Sequence, residues 1–145
     1  MRPVLFDTSV YITALRGQAD ASLRLRQMAG GAPIWLSSVV LEELYAGANA
    51  KSGRAVERLE RDFYRARRML VPNLTDWVQT GKALARLAAK YDYERIGQGR
   101  LTNDSLIAAS AGRMGITVVT ANIADFGKLA EFLPFQWRVG LVGKV

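Results

Sequence analysis

The sequence predicts an α/β protein, a sandwich of helices around a mostly parallel central sheet. Short apolar runs typical of buried parallel strands occur at residues 4–6, 34–36 and 116–120. The segments between them carry apolar residues at the spacing of amphipathic helices. With 145 residues the chain has the length of one ordinary domain, so we expect residues 1–145 to form a single unit.

Capping and breaking residues divide the first half of the chain. Asp7 follows the first strand in a polar turn that opens a helix, and Gly17 closes that helix. A second helix is predicted for Ala21–Ala29. A serine at position 37 or 38 then caps a helix that runs to Gly47.

The second half begins with a helical pattern over residues 54–70, which Pro72 ends. A further helix covers residues 75–91, and residues 91–101 are predicted to form a loop because they contain Gly97 and Gly99. The remaining predicted elements are a helix capped by Thr102 or Asn103 and ending near Gly115, the strand 116–120, an exit loop 121–125, a short helix to Leu129 and a last strand within 135–142.

The composition limits the available chemistry. There are no cysteines and no histidines, which excludes thiolate nucleophiles, Ser-His-Asp triads and sites in which Cys or His binds a metal. The 20 Lys and Arg residues exceed the 13 Asp and Glu residues and give a net charge of +7, which attracts polyanions without identifying one. The N-terminus has neither a signal-peptide core nor a transmembrane run, so we expect a cytoplasmic protein without a membrane partner.

Four acidic residues stand where chemistry is expected. Asp7 and Asp125 follow predicted strands, and ligands of open α/β sheets bind at the carboxyl ends of strands. Asp104 shares a helix face with apolar residues, where an uncompensated carboxylate is costly. Glu43 lies beside small residues, whereas its neighbour Glu42 has the character of a solvated residue. Each acid also has an ordinary structural explanation, such as helix capping, the helix dipole or a solvated surface position.

Four segments together resemble a known family. They are LFDTS at residues 5–9, SSVVLEELYAG at 37–47, NDSLIAASA at 103–111 and TANIADF at 120–126. Their order and spacing are similar to those of the PIN domain of VapC-type toxins. The resemblance spans essentially the whole chain.

The resemblance implies a PIN-like α/β/α sandwich and a ribonuclease that cleaves structured RNA such as tRNA or rRNA. The four catalytic acids would be Asp7, Glu43, Asp104 and Asp125, with Asp7 and Asp104 as ligands of Mg²⁺ or Mn²⁺. It also implies a small antitoxin encoded by an adjacent gene and a homodimer. Matching polar positions that would line the site are Thr8, Thr120 and Asn122.

An arginine-rich helix face is not part of this resemblance. It consists of Arg54, Arg58, Arg61, Arg65 and Arg68. Five cations on one face are able to neutralise RNA phosphates. Glu57 and Glu60 are interleaved with them, however, so a solvated face with ion pairs is the alternative, and the sequence favours it.

Two other functions are compatible with an acidic pocket. A regulatory module would hold Mg²⁺ without nuclease activity, as a phospho-acceptor domain does, but the TANIADF segment has no lysine where such a domain needs one. A DNA-directed or flap-type nuclease would use the same acids, although the chain is short for the helical arch of such enzymes. Cleavage assays on RNA and DNA distinguish these alternatives.

Overall fold

The computed structural model describes residues 1–16, 21–92 and 98–140. In this part the strands are Val4–Phe6 (β1), Ile34–Ser37 (β2), Met69–Leu70 (β3), Thr117–Thr120 (β4) and Trp137–Val139 (β5). The helices are Thr8–Leu15 (α1), Ala21–Ala29 (α2), Ser38–Ala46 (α3), Ala50–Arg65 (α4), Leu74–Tyr91 (α5), Gln98–Met114 (α6) and Ile123–Leu129 (α7). None of these helices is long and apolar enough to cross a bilayer.

The strands form one parallel sheet in the order β3-β2-β1-β4-β5, with helices on its faces, which confirms the predicted α/β/α sandwich. The chain builds outward from β1 to β3 and then returns to place β4 on the other side of β1. Leu5 lies opposite Trp35 on one side and Val118 on the other. The strand order therefore reverses between β1 and β4, and a crevice is expected at the carboxyl ends of these two strands.

The core forms where the central strands meet the helices. Leu5, Phe6, Val118 and Val119 are fully buried, as expected for strands covered on both faces. On α6 the apolar stripe predicted beside Asp104 is also buried, with Ile107 fully enclosed. The carboxyl ends of β1 and β4 thus project from a rigid, packed layer.

The largest correction concerns the helix predicted for residues 54–70. It begins earlier, at Ala50, because Asn49 and Ser52 form a capping box. It ends at Arg65, since Arg67 takes a left-handed φ of 57° that stops the helix well before Pro72. The apolar residues that extended the helical pattern instead form β3 beside β2.

The prediction of a loop over residues 91–101 is wrong at the C-terminal end of that range, because α6 already begins at Gln98. Thr102 and Asn103 therefore lie inside the helix and do not cap it. The exit loop is also shorter than predicted: Asn122 caps α7, which begins at Ile123. Within the last predicted strand only Trp137–Val139 is extended and paired. Gly17, Gly97 and residues 141–142 lie outside the described residues.

Candidate active site

Asp7 stands at the carboxyl end of β1 and is only 3% exposed. Its Oδ1 accepts a 2.6 Å hydrogen bond from the Ser9 hydroxyl and a longer 3.4 Å bond from the Val10 backbone amide, so it also caps α1. Its Oδ2 accepts a 2.7 Å bond from the Thr120 hydroxyl at the end of β4. The capping explanation for Asp7 is therefore correct, but it accounts for only one of three contacts to a buried carboxylate.

Burial raises the pKa of Asp7 above its ordinary value, because the ionised carboxylate loses hydration. The bonds from Ser9, Thr120 and the Val10 amide oppose this shift by stabilising the charged form. The negative charge of Glu43 raises the pKa of Asp7 further. The interaction shows that these two acids, which are far apart in sequence, lie within electrostatic range.

Thr120 and Asn122 connect Asp7 to Asp125. The Thr120 hydroxyl, fully buried, donates to Asp7 and accepts the Asn122 backbone amide at 2.9 Å. The Asn122 side chain accepts the Asp125 amide at 3.3 Å and donates to Asp125 Oδ2 at 2.9 Å. Asp125 is thus held by the N-cap of α7, half-buried, in the first turn of that helix.

Glu43 lies on α3, which packs against α1. Its Oε1 accepts a 2.7 Å hydrogen bond from the hydroxyl of Thr8, the first residue of α1. Glu43 is half-buried, whereas Glu42 is exposed. The structure therefore separates the two glutamates as the sequence suggested.

Asp104 is 8% exposed and lies on α6, which packs against both α3 and β4. It stands six residues after Gln98, beyond the first turn, so the helix-dipole explanation does not apply to it. Its neighbour Asn103 reaches Glu42 of α3 at 3.5 Å, which places this part of α6 beside the helix that carries Glu43.

The four candidate acids differ in how closely the structure joins them. Asp7 interacts with Glu43 and is linked through hydrogen bonds to Asp125. In the part of the chain that the structure describes, no three acidic side chains form a ready-made metal-binding group. The donor set itself, oxygen only and with two buried carboxylates, fits a hard divalent cation such as Mg²⁺ or Mn²⁺.

A cavity of about 680 Å³ adjoins Glu43. Its apolar lining includes Ile12 and Leu15 of α1, Leu44 of α3 and Val56 of α4. The described lining comes from α1, α3, α4 and the connection between α3 and α4.

The predicted arginine face lies on α4, a helix that carries none of the four candidate acids. Arg54, Arg58, Arg61 and Arg65 are exposed on this helix. Arg68 is not on it, because the helix ends at Arg65 and the Arg68 carbonyl accepts the backbone amide of Leu36 in β2. The fifth member of the face was therefore assigned wrongly.

Sequence reasoning did not select Ser9 as a site residue. Its hydroxyl donates to Asp7 and accepts the Ala121 amide at 3.3 Å, so it joins the first turn of α1 to the exit of β4. The available signal was its place in the polar turn after β1. Nothing in the sequence distinguished this hydroxyl from an ordinary turn residue.

The fold and site define a class: an open parallel α/β protein with carboxylates at the switch point between its central strands. The PIN domain model matches residues 4–131, and the chain belongs to the PIN domain family. PIN domains are generally nucleases, which supports hydrolysis of phosphodiester bonds, and they typically use divalent metals. No curated protein matches the sequence.

Solved structures agree with the fold. A chain of the DNA-bound VapBC from Salmonella typhimurium is 23% identical, with a TM-score of 0.66 and coverage of 96% of this chain and 98% of that chain. A chain of VapBC2 from Rickettsia felis, bound to a promoter DNA fragment, is 22% identical, with a TM-score of 0.67 and coverage of 96% and 99%. A chain of VapBC-5 from Mycobacterium tuberculosis is 22% identical, with a TM-score of 0.56 and coverage of 97% and 100%.

Proposed function

We propose that this chain is a metal-dependent endoribonuclease and the toxin of a toxin–antitoxin pair. The observation that carries the proposal is the buried carboxylate of Asp7, held by hydroxyls from both sides of the switch point. A structural N-cap needs neither this burial nor the additional donors. Several acids around one crevice of a protein with a net charge of +7 suit a reaction on a polyanion.

The residues have distinct roles in this proposal. Asp7 and Asp104, the two buried members of the four, would hold Mg²⁺ or Mn²⁺, and Glu43 and Asp125 would complete the acidic site. The bound metal supplies charge stabilisation at phosphorus and a water molecule of lowered pKa. Hydroxyl and amide donors orient three of the carboxylates: Ser9 and Thr120 bind Asp7, Thr8 binds Glu43 and Asn122 binds Asp125.

Purified protein incubated with labelled structured RNA and with matched DNA, in Mg²⁺, Mn²⁺ or EDTA, tests this function. We expect internal cleavage of structured RNA such as tRNA or rRNA in the presence of either metal, and no cleavage in EDTA. Cleavage of DNA alone would replace the proposal with a DNA-directed nuclease that uses the same acids. Metal binding without cleavage of either polymer would favour a regulatory module.

The partner we propose is a small antitoxin encoded by an adjacent gene, with the toxin as a homodimer and the cytoplasm as its location. The VapBC likeness supports it, as does the apolar cavity beside Glu43. An amphipathic segment would fill the cavity, and its Arg would reach the acids as a bidentate cation. Titration of the neighbouring gene product should abolish RNA cleavage. Tight binding that left cleavage unchanged would contradict occlusion of the site.

A further inference from the structure

The outer face of α4 carries a continuous row of cations that the acidic site does not use. Lys51, Arg54, Arg58, Arg61 and Arg65 follow one another at alternating steps of three and four residues, which keeps them on one side of the helix. All five are exposed. At 1.5 Å per residue, this basic row extends over about 21 Å.

The five cations of the row form no ion pair with a carboxylate among the residues that the structure describes. The expected pair between Glu57 and Arg61 is absent there. Glu60 instead accepts a 2.5 Å hydrogen bond from the Tyr45 hydroxyl of α3, an interaction that raises the pKa of Tyr45 to about 12. The face is therefore solvated, as the sequence favoured, but among the described residues it lacks the predicted ion pairs.

Two features connect the basic row with a nucleic-acid chain. At one end, Lys51 lines the same cavity as Glu43, so the row begins beside the acidic site. Near the other end, Tyr64 is 75% exposed and shares a shallow groove of about 370 Å³ with Arg61, Arg65, Glu57 and Glu60. An exposed ring in the same groove as two arginines is suited to stacking on a base, while the cations of the row neutralise phosphates.

We propose that the basic row and Tyr64 form an RNA-binding track, which holds the substrate backbone outside the cleaved bond. This inference rests on the proposed ribonuclease function and extends it to a second contact surface. Its contribution is to affinity, because the row is not part of the acidic cluster. Neutralising the row should therefore raise KM and leave kcat at saturating RNA unchanged.

The test is the affinity of a fluorescein-labelled RNA stem-loop, measured by anisotropy in EDTA over a range of salt concentrations. The double variant Arg61→Gln/Arg65→Gln should weaken binding about tenfold and reduce the slope of log affinity against log salt by about 1.5. The matched control is Lys82→Gln/Arg86→Gln on α5, which removes the same charge from exposed positions with the same spacing and should change little. Equal losses of RNA affinity in the α4 and α5 variants would overturn the RNA-binding track. Unchanged affinity in the α4 variant would also overturn it, and is the result expected if an acidic protein binds the row instead.

Substitution of Tyr64 gives an independent test. Tyr64→Ala should weaken binding of the stem-loop by about tenfold, whereas Tyr64→Phe should bind it as the wild type does because it keeps the ring. Loss in both variants would overturn the stacking role. Because binding is measured in EDTA, failure of the nuclease proposal remains distinguishable: a track that binds RNA in a chain that never cleaves it supports the track alone. A chain that cleaves RNA but binds it independently of Arg61 and Arg65 refutes the track alone.

Discussion

The Thr120 hydroxyl donates a 2.7 Å hydrogen bond to Oδ2 of Asp7, although the two residues are 113 positions apart in the sequence. The bond joins the carboxyl ends of β1 and β4, the two strands between which the sheet order reverses. The same hydroxyl accepts the Asn122 amide that begins the cap of α7. One buried side chain therefore sets the positions of two of the four proposed catalytic acids.

Thr120→Val should destabilise the protein and impair cleavage. It keeps the shape of the side chain but leaves a buried carboxylate oxygen and a backbone amide without their partner, at a cost of about 1 to 3 kcal/mol. Thr117→Val is the control on the same strand, because the Thr117 hydroxyl makes no hydrogen bond within the described residues. Urea unfolding and RNA cleavage are the measurements. Equal effects of the two substitutions would contradict a special role for Thr120.

Amide substitutions of the four acids should reduce RNA cleavage while the fold is kept. We expect Asp7→Asn, Glu43→Gln, Asp104→Asn and Asp125→Asn each to lower the cleavage rate by about 100-fold or more. Loss of a residue that only supports a metal ligand costs about 10- to 100-fold, and loss of a site acid should cost at least as much. Circular dichroism checks the fold, and initial rates give the effect.

Glu42→Gln is the control for this series, since Glu42 is exposed and, within the described residues, its side chain accepts only one hydrogen bond, from Asn103 at 3.5 Å. Its rate should stay within about twofold of the wild type. If Glu42→Gln abolished cleavage while Glu43→Gln did not, the assignment of the catalytic glutamate would be wrong.

The raised pKa of Asp7 predicts a pH-dependent effect on stability in EDTA. As pH rises, the unfolded chain releases this proton before the folded chain does, so the burial of the ionised carboxylate lowers stability, at a cost that grows with pH through the interval between the two pKa values. Asp7→Asn removes the cost. Relative to the wild type, its thermal midpoint should therefore be more favourable at about pH 7 than at about pH 4. A difference that does not change with pH would contradict the burial effect.

Mg²⁺ or Mn²⁺ should raise the thermal midpoint of the wild-type protein, since a ligand of the folded state stabilises that state. Asp7→Asn should show a much smaller rise. Calorimetric scans at millimolar metal make the comparison. An identical response of both proteins would place the bound metal elsewhere.

A buried acid outside the proposed site, Asp76, predicts an effect on stability alone. The Asp76 carboxylate is only 2% exposed. It accepts the backbone amide of Asn73 at the start of α5 and hydrogen bonds of 2.9 to 3.1 Å from Nε and Nη2 of Arg113 in α6. Arg113→Gln should cost about 2 kcal/mol, since it leaves a buried charge unpaired. Lys90→Gln, which removes an exposed pair with Glu131, should cost much less. Cleavage per folded molecule should be unchanged in both.

The central strands and most helices could be predicted because their signals are local. The buried runs of β1 and β4 and the serine cap of α3 are visible in single segments. The strand β3 was missed because two apolar residues fit a helical pattern as well as an edge strand, and only pairing with β2 decides between them. The beginning of α6 was missed because a glycine near a helix end carries little information about which side of the boundary it occupies.

The candidate site could be predicted less completely. The acids were selected from their positions after strands and on helix faces, but the donors that hold them come from other elements. Ser9 and Thr8 act on different acids although they are adjacent, because successive residues at a helix start point in different directions. Likewise, the sequence favoured an ion pair of Glu57 with Arg61. In the tertiary structure Glu60 instead accepts a hydrogen bond from Tyr45, and the arginines of α4 are exposed.

The most direct test of the proposed metal-dependent site is the initial rate of cleavage of one labelled RNA, measured across a Mg²⁺ titration for the wild-type chain and for Asp104→Asn. The account predicts a wild-type rate that is absent in EDTA and rises to saturation with Mg²⁺, and a folded variant that stays near the baseline. Cleavage that is insensitive to Mg²⁺, or equal in the two proteins, would contradict it.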